Sequence, residues 1–280
     1  MRTESFQTPG HVRLDIRLGS GDVDVETADV AETTVELDGR DDVVEEARVE
    51  CRVRDDGHEI TVDLTKAQRR FGRGRDVTVR VSAPLGTDLK CQSGSADIEG
   101  RGDLGDVDIQ TGSGEVDLGA VSGDAKVNAA SGDVEITSVA GEMKINTASG
   151  DIEVESVGRD GRINSASGDV QIREVGGELH VNSASGDVNV REVGVGGSVN
   201  TASGDVRIDA VQQGSFNVKS ASGDLRVGIR EGSRLYVDAR SRSGEVSSEL
   251  EVGSAEPEGE GPLVELRANT MSGDIQIVRA

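Results

Sequence analysis

An acidic residue follows Ser-Gly, or its equivalent, at Asp97, Glu115, Asp133, Asp151, Asp169, Asp187 and Asp205, and every interval is 18 residues. Asp224, Glu245 and Asp274 follow at intervals of 19, 21 and 29. Carboxylates at a fixed spacing suit two kinds of chemistry. Hard cations such as Ca²⁺ are held by carboxylate and carbonyl oxygens, which makes Asp133, Asp151, Asp169, Asp187 and Asp205 the candidate metal ligands of a cation-binding rod. Alternatively, an Asp at a tight corner accepts hydrogen bonds from turn amides or from the nearby Ser hydroxyl. Carboxylates stacked at a strand spacing of ~4.8 Å would repel by just under ~1 kcal/mol per pair in water before screening, so one of the two must offset this. The nine-residue word of the calcium β-roll is absent, and the hydrogen-bonded reading is preferred. The repeated Ser-Gly-Asp is then a corner of the fold.

Catalytic chemistry finds little to work with. The pairs Asp133/Glu135 and Asp151/Glu153 would share an outward face, but so would their equivalents in other repeats. Uniform repetition does not make the unequal environments that an acid and a base need. His11, His58 and His180 lie in unrelated contexts, and no GxSxG elbow or CxxC pair occurs. Cys51 and Cys91 are read as two free thiols of a reducing compartment rather than as a disulfide. The expectation is a non-enzymatic protein with no catalytic residues and no cofactor. The alternative is a carbohydrate-active enzyme on a β-helix, which would need a local break in the repeat. Its candidate region is 209–245, where the spacing drifts and Phe216, Lys219, Arg226, Arg230 and Tyr236 appear.

Two further motifs stand out. GRGDLG, residues 100–105, matches both GxGxxG and Arg-Gly-Asp, but a dinucleotide fingerprint must open a helix and the residues that follow here alternate like a strand. KAQRRFGRGR, residues 66–75, gathers Lys66, Arg69, Arg70, Arg73 and Arg75 around Phe71 in a chain of opposite net charge. It is expected to be a loop, solvated or docked on the chain's own acidic repeats. These six residues are also the candidate contact for an acidic partner, a phosphate or an anionic lipid.

The elements that position these residues follow from the repeat. With the acidic residue as position 1, positions 2 and 4 are apolar, as in Val170 and Ile172, while 3 and 5 are mostly polar. This is a strand with one buried face. Positions 7 and 13 are apolar again, with a Gly or polar turn near 10, so each unit holds two short strands and two turns. Asn128, Asn146, Asn164, Asn182 and Asn200 share position 14, and Ala130, Ala148, Ala166, Ala184 and Ala202 share position 16. Such identity fits a solenoid, where equivalent residues stack and Asn amides can hydrogen-bond from one coil to the next. A meander would separate them by two strand spacings. The aliphatic residue every six positions required by a hexapeptide helix is missing. The expected fold is an all-β, single-stranded parallel β-solenoid (a β-helix, right-handed by the chirality of parallel crossovers) with flattened 18-residue, two-strand coils.

Residues 1–92 are less regular and are expected to form a β-rich N-terminal cap, with a short helix at DDVVEEARV and a hairpin around Asp56-Gly57. Residues 93–280 carry the solenoid, with a loop insertion at 253–262 in the last coil. The final strand, DIQIVRA, is expected to leave an edge for end-to-end contact. The oligomeric state follows from none of this.

The chain has 280 residues, 34% of them hydrophobic, four aromatics, 38 Gly and a net charge of −23. Its core must be thin. Such a charge repels nucleic acid and anionic membranes, so no nucleic-acid partner is expected. No basic and apolar leader opens the chain, and no apolar run approaches the ~18 residues of a membrane span. The expectation is no direct membrane insertion and a cytoplasmic location, with envelope association as the alternative.

The words SGDV and SGDI at 131, 149, 167, 185, 203 and 272, with the N-terminal copy GSGDVDVE at 19–26, resemble those of the bacterial "putative adhesin" or toastrack-type family, whose biochemical function is unknown. The resemblance covers most of the chain. It implies a β-solenoid scaffold or adhesin-like interaction protein, linked to the cell envelope or to adhesion, and it implies no catalytic residues. The partner implied is a protein or cell-envelope component.

Overall fold

A computed structural model describes residues 1–71, 77–249 and 261–280. The described chain is almost entirely β and divides into two compact units, Met1–Gly141 and Glu142–Ala280. The first holds β1 (Arg2–Gln7), β2 (His11–Ala28), β3 (Glu32–Asp38), α1 (Asp41–Glu46), β4 (Arg48–Arg54), β5 (Gly57–Asp63), α2 (Thr65–Phe71), β6 (Thr78–Pro84), β7 (Thr87–Ser113), β8 (Val116–Val121), β9 (Ala125–Ser131) and β10 (Val134–Val139). The second holds β11 (Met143–Thr147), β12 (Ile152–Val157), β13 (Gly161–Ser165), β14 (Val170–Val175), β15 (Glu178–Ser185), β16 (Val188–Val193), β17 (Gly196–Ser203), β18 (Val206–Val211), β19 (Gly214–Ser222), β20 (Leu225–Ile229), β21 (Arg234–Ser241), β22 (Val246–Ser248), β23 (Leu263–Ser272) and β24 (Ile275–Arg279).

The coils stack in parallel, as the position columns require. In the first unit Val134 lies opposite Val116. In the second, Val170 pairs with Ile152 on one side and Val188 on the other. Each coil gives two strands to a parallel sheet that nearly closes on itself. The chain is therefore a β-solenoid.

Period-2 alternation sends positions 2 and 4, together with 7, inward from the first strand of each coil, and 11, 13 and 15 inward from the second. Val170, Ile172, Val175, Leu179 and Val181 are all buried. Position 11 has no fixed identity because neighbours along the stack share its volume. A Cβ on Gly161 would meet Leu179 Cδ1 at 3.3 Å and Met143 Cε at 3.8 Å, so the long side chains on either side already fill that space. In the second unit position 15 is a small hydroxyl residue, where one coil of the first has Ala129. Thr147, Ser165, Ser183 and Thr201 are buried, and each hydroxyl donates to the carbonyl two residues on at 2.8–3.1 Å. A buried hydroxyl left unpaired would cost about 1–3 kcal/mol, and this local bond removes that penalty.

Spatial order departs from chain order where each unit meets its terminus. In the first unit β2 lies between β7 on one side and β5 and β6 on the other, with Asp22 in register with Asp97. The N-terminal GSGDVDVE therefore occupies the same corner as the later words. β4 then covers β5, and β3 covers β6, both antiparallel. In the second unit β23 and β24 lie against β19 and β20, and β21 and β22 stack outside them. The last strand, DIQIVRA, is thus enclosed between neighbours and does not supply the free edge expected of it. That position belongs to the preceding coil.

The short helix expected at DDVVEEARV is α1, and the hairpin joins β4 to β5. The basic segment differs from expectation. Its first part is the helix α2 rather than a loop, because Ala67 and Gln68 have a surface to pack on while Lys66, Arg69 and Arg70 stay exposed. Arg73, Arg75 and residues 253–260 of the loop insertion lie outside the described residues.

Candidate functional site

The Ser-Gly-Asp corner is built from three local facts. The Gly adopts a left-handed backbone, φ +112 at Gly168 and +111 at Gly186. It also lies against the coil before it, since a Cβ on Gly186 would sit 2.2 Å from the carbonyl oxygen of Gly168. Only Gly meets both conditions. The Asp that follows then points its carboxylate along the stack. Asp151 Oδ1 accepts the backbone N–H of Asp169, Asp169 that of Asp187, Asp187 that of Asp205, and Asp205 that of Asp224, each at 2.8 Å. The chain of bonds continues from Asp224 to Asp274 and from Asp274 to Glu245, following the spatial order of the coils. In the first unit Asp97 accepts the amide of Glu115 at 2.9 Å.

The carboxylate therefore does bind turn amides, but the amide belongs to the next coil. Each of these Asp carboxylates accepts a charge-assisted hydrogen bond across a coil boundary, which offsets the repulsion along the column. The candidate metal ligands Asp133, Asp151, Asp169, Asp187 and Asp205 all lie in this column, one per coil. Among the described residues no three His, Cys, Asp or Glu side chains are grouped as metal ligands would be.

A second column does the same at position 10, where the repeat pattern alone indicates only a Gly or polar turn. Asp106 donates its amide to Asp88 and Asp124 to Asp106, both at 2.9 Å, and Glu178 donates to Asp160 at 2.9 Å. The signal was present: Asp106, Asp124, Glu142, Asp160 and Glu178 recur every 18 residues. The Asn column forms as expected. Asn164 donates to Asn146 at 2.8 Å, Asn182 to Asn164 at 3.0 Å and Asn200 to Asn182 at 3.0 Å. Lys219 stands next in register and ends the run.

The basic helix lies in the first unit. Gln68 is buried, and its side-chain amide imitates a strand. Its Oε1 accepts the Gly19 N–H at 2.5 Å and its Nε2 donates to the Ser20 carbonyl at 2.6 Å. These are the backbone groups at the corner of β2, between its segments paired with β5 and β6. Arg70 reaches Glu46 on α1 at 2.9 Å. Lys66 and Arg69 project to solvent from the same short helix. The Phe71 side chain, with Arg73 and Arg75, lies outside the described residues.

The remaining candidates do not converge. GRGDLG runs within β7, where the register shifts between Gly100 and Asp103, and Arg101 pairs with Glu99. It opens no helix, so it lacks the geometry of a dinucleotide site. His11 pairs with Asp88 at 2.8 Å, and His180 contacts Ser198 at 3.0 Å and Glu178 at 3.3 Å. Cys51 and Cys91 are both free. Burial, reinforced by the charge of Asp15, pushes the Cys91 thiol up to about 12, which leaves it inert. In 209–245, Phe216 is fully buried beside Gly197 and fills the core. Arg226 reaches Gln276, Arg230 reaches Glu192, and Tyr236 is half exposed on β21.

A family model described as Toastrack DUF4097 matches residues 11–191 and 158–278. No curated protein matches the chain. Among solved structures, one described as a "putative cell adhesion protein" from Clostridium sporogenes ATCC 15579 is 11% identical, with 100% of this chain and 99% of that chain covered and a TM-score of 0.24. A "putative adhesin" from Bacteroides fragilis NCTC 9343 is 11% identical, covering 98% and 96%, with a TM-score of 0.34. A "Putative lipid binding protein" from Parabacteroides distasonis ATCC 8503 is 13% identical, covering 98% and 96%, with a TM-score of 0.31.

Proposed function

The chain belongs to the Toastrack DUF4097 family, and from that premise we propose that it is a non-enzymatic, adhesin-like scaffold that holds a protein or cell-envelope component. The observation that carries this reading is the use made of the acidic residues. The carboxylates of Asp151, Asp160, Asp169 and Asp187 each accept an amide of the next coil, which supports reading them as structural groups rather than as an acid, a base or a ligand set. The repeated surface then offers recognition rather than turnover.

Within this reading the partner contact is centred on Lys66, Arg69, Arg70, Phe71, Arg73 and Arg75. The support is local charge: a basic cluster in a chain of net charge −23, with Lys66 and Arg69 projecting from a helix whose other face is fixed by Gln68. An acidic or phosphate-bearing surface would complement it.

The test is cross-linking co-purification of the tagged chain from its native cells, with soluble and membrane fractions read separately. The expected result is a specific partner that is lost in the Lys66→Glu/Arg69→Glu variant while circular dichroism stays unchanged. Capture that is indifferent to this charge reversal would contradict the assignment to the basic segment. Recovery of the chain with no partner in either fraction would contradict the scaffold reading itself.

A further inference from the structure

The two units finish their outermost coils differently. In the first, β3 and β4 lie antiparallel over the coil made by β5 and β6, and β4 carries Arg48, Arg52 and Arg54 along its outer side. A charged antiparallel strand is a standard guard against further pairing. In the second unit the outermost coil is β21 and β22. Among the described residues β21 pairs with β23 alone.

Its core positions show the consequence. Val264, Leu266 and Ala268 of β23 are 0% exposed. Their register partners Leu235, Val237 and Ala239 are only half-buried. The backbone is equally open on that side. Arg234 donates its amide to the Pro262 carbonyl at 2.8 Å, and Arg242 donates to Thr270 at 3.2 Å. Amides alternate along a strand, so those of Leu235, Val237, Ala239 and Ser241 face the free edge.

We propose that this edge pairs with the same edge of a second copy of the chain, β21 against β21, antiparallel about a two-fold axis at Ala239. The strand's own charges favour this occupant. The outward residues of β21 include Asp238 and Arg240, which already attract each other within the strand at 2.9 Å. With Ala239 opposite its own copy, Asp238 lies opposite the partner's Arg240 and Arg240 opposite the partner's Asp238. Val237 then faces Ser241 on the core side. Centring on Val237 would instead set Arg234 against Arg240, and centring on Asp238 would set two aspartates together. Cross-strand opposite charges stabilise a pair and like charges oppose it, while a two-fold axis makes each favourable contact twice.

The experiment is sedimentation velocity of the full chain across a concentration series. A monomer–dimer equilibrium is expected. Ala239→Pro removes an amide that faces only the free edge and should abolish the dimer. Asp238→Arg should weaken it by about tenfold in dissociation constant, and adding Arg240→Asp to that variant should restore it, since the pair is then complementary again. The double variant keeps the test independent of any damage that proline does to the coil. A chain that stays monomeric throughout would overturn the proposal, as would a dimer that survives Ala239→Pro or a charge swap that fails to rescue.

Discussion

Glycine at the corner is the residue on which the repeat depends. Its left-handed backbone and its approach to the previous coil act together, because the same turn that needs positive φ also brings the carbonyl of the previous Gly to where a Cβ would be. Gly186→Ala therefore combines a strained φ with a Cβ only 2.2 Å from a backbone carbonyl oxygen that cannot move without disturbing its own coil. The expected loss is about 3 kcal/mol of unfolding free energy, read as a lower denaturation midpoint at unchanged slope. A loss near zero would mean that the coil spacing yields easily, which the continuous amide–carboxylate column argues against. Asp completes the corner by a different route. It supplies an acceptor to the amide one coil on, and its charge strengthens that bond while repelling the next carboxylate of the column.

At the scale of elements, β21–β24 show what the sequence could and could not tell. The two-strand coil, its 18-residue period and the Asn column were legible, because identity at one position is the direct mark of stacking. The order of the last two coils was not. Both 234–248 and 263–279 carry strand, turn and strand with the same inward pattern, so either could lie against β19 and β20. Only three-dimensional packing chooses. The buried hydroxyls at position 15 are hidden for a simpler reason: Ser and Thr there look polar in an alternating pattern that reserves inward places for apolar residues. Helix α2 resembles a loop in sequence because its arginines point to solvent, whereas Gln68 is what fixes it. Gln68→Ala strips two part-buried backbone groups of β2, at Gly19 and Ser20, of their partners. It should cost about 2–3 kcal/mol and increase amide exchange at Gly19. An unchanged midpoint and unchanged exchange would show that water replaces the side chain there.

Across the whole molecule, a thin core and a net charge of −23 are made compatible by hydrogen-bonded columns that run along each unit. Small side chains stack well, repeat by repeat, and the acidic corners become cross-coil acceptors instead of a source of repulsion alone. Among the described residues no helix is long and apolar enough to cross a membrane. The central proposal is that the Ser-Gly-Asp word builds the fold rather than holding a cation. The most direct measurement is calorimetric melting of the native chain and of a variant with Asp151, Asp169, Asp187 and Asp205 all replaced by Asn, each in millimolar Ca²⁺ and in chelator. Asn keeps the acceptor oxygen and removes the charge, with just under ~1 kcal/mol of repulsion per stacked pair before screening. The account predicts a native melting temperature that is the same in both solutions and a variant that melts no lower. A native chain that Ca²⁺ raises by several degrees, with that rise gone in the variant, would contradict it and make the column a cation site.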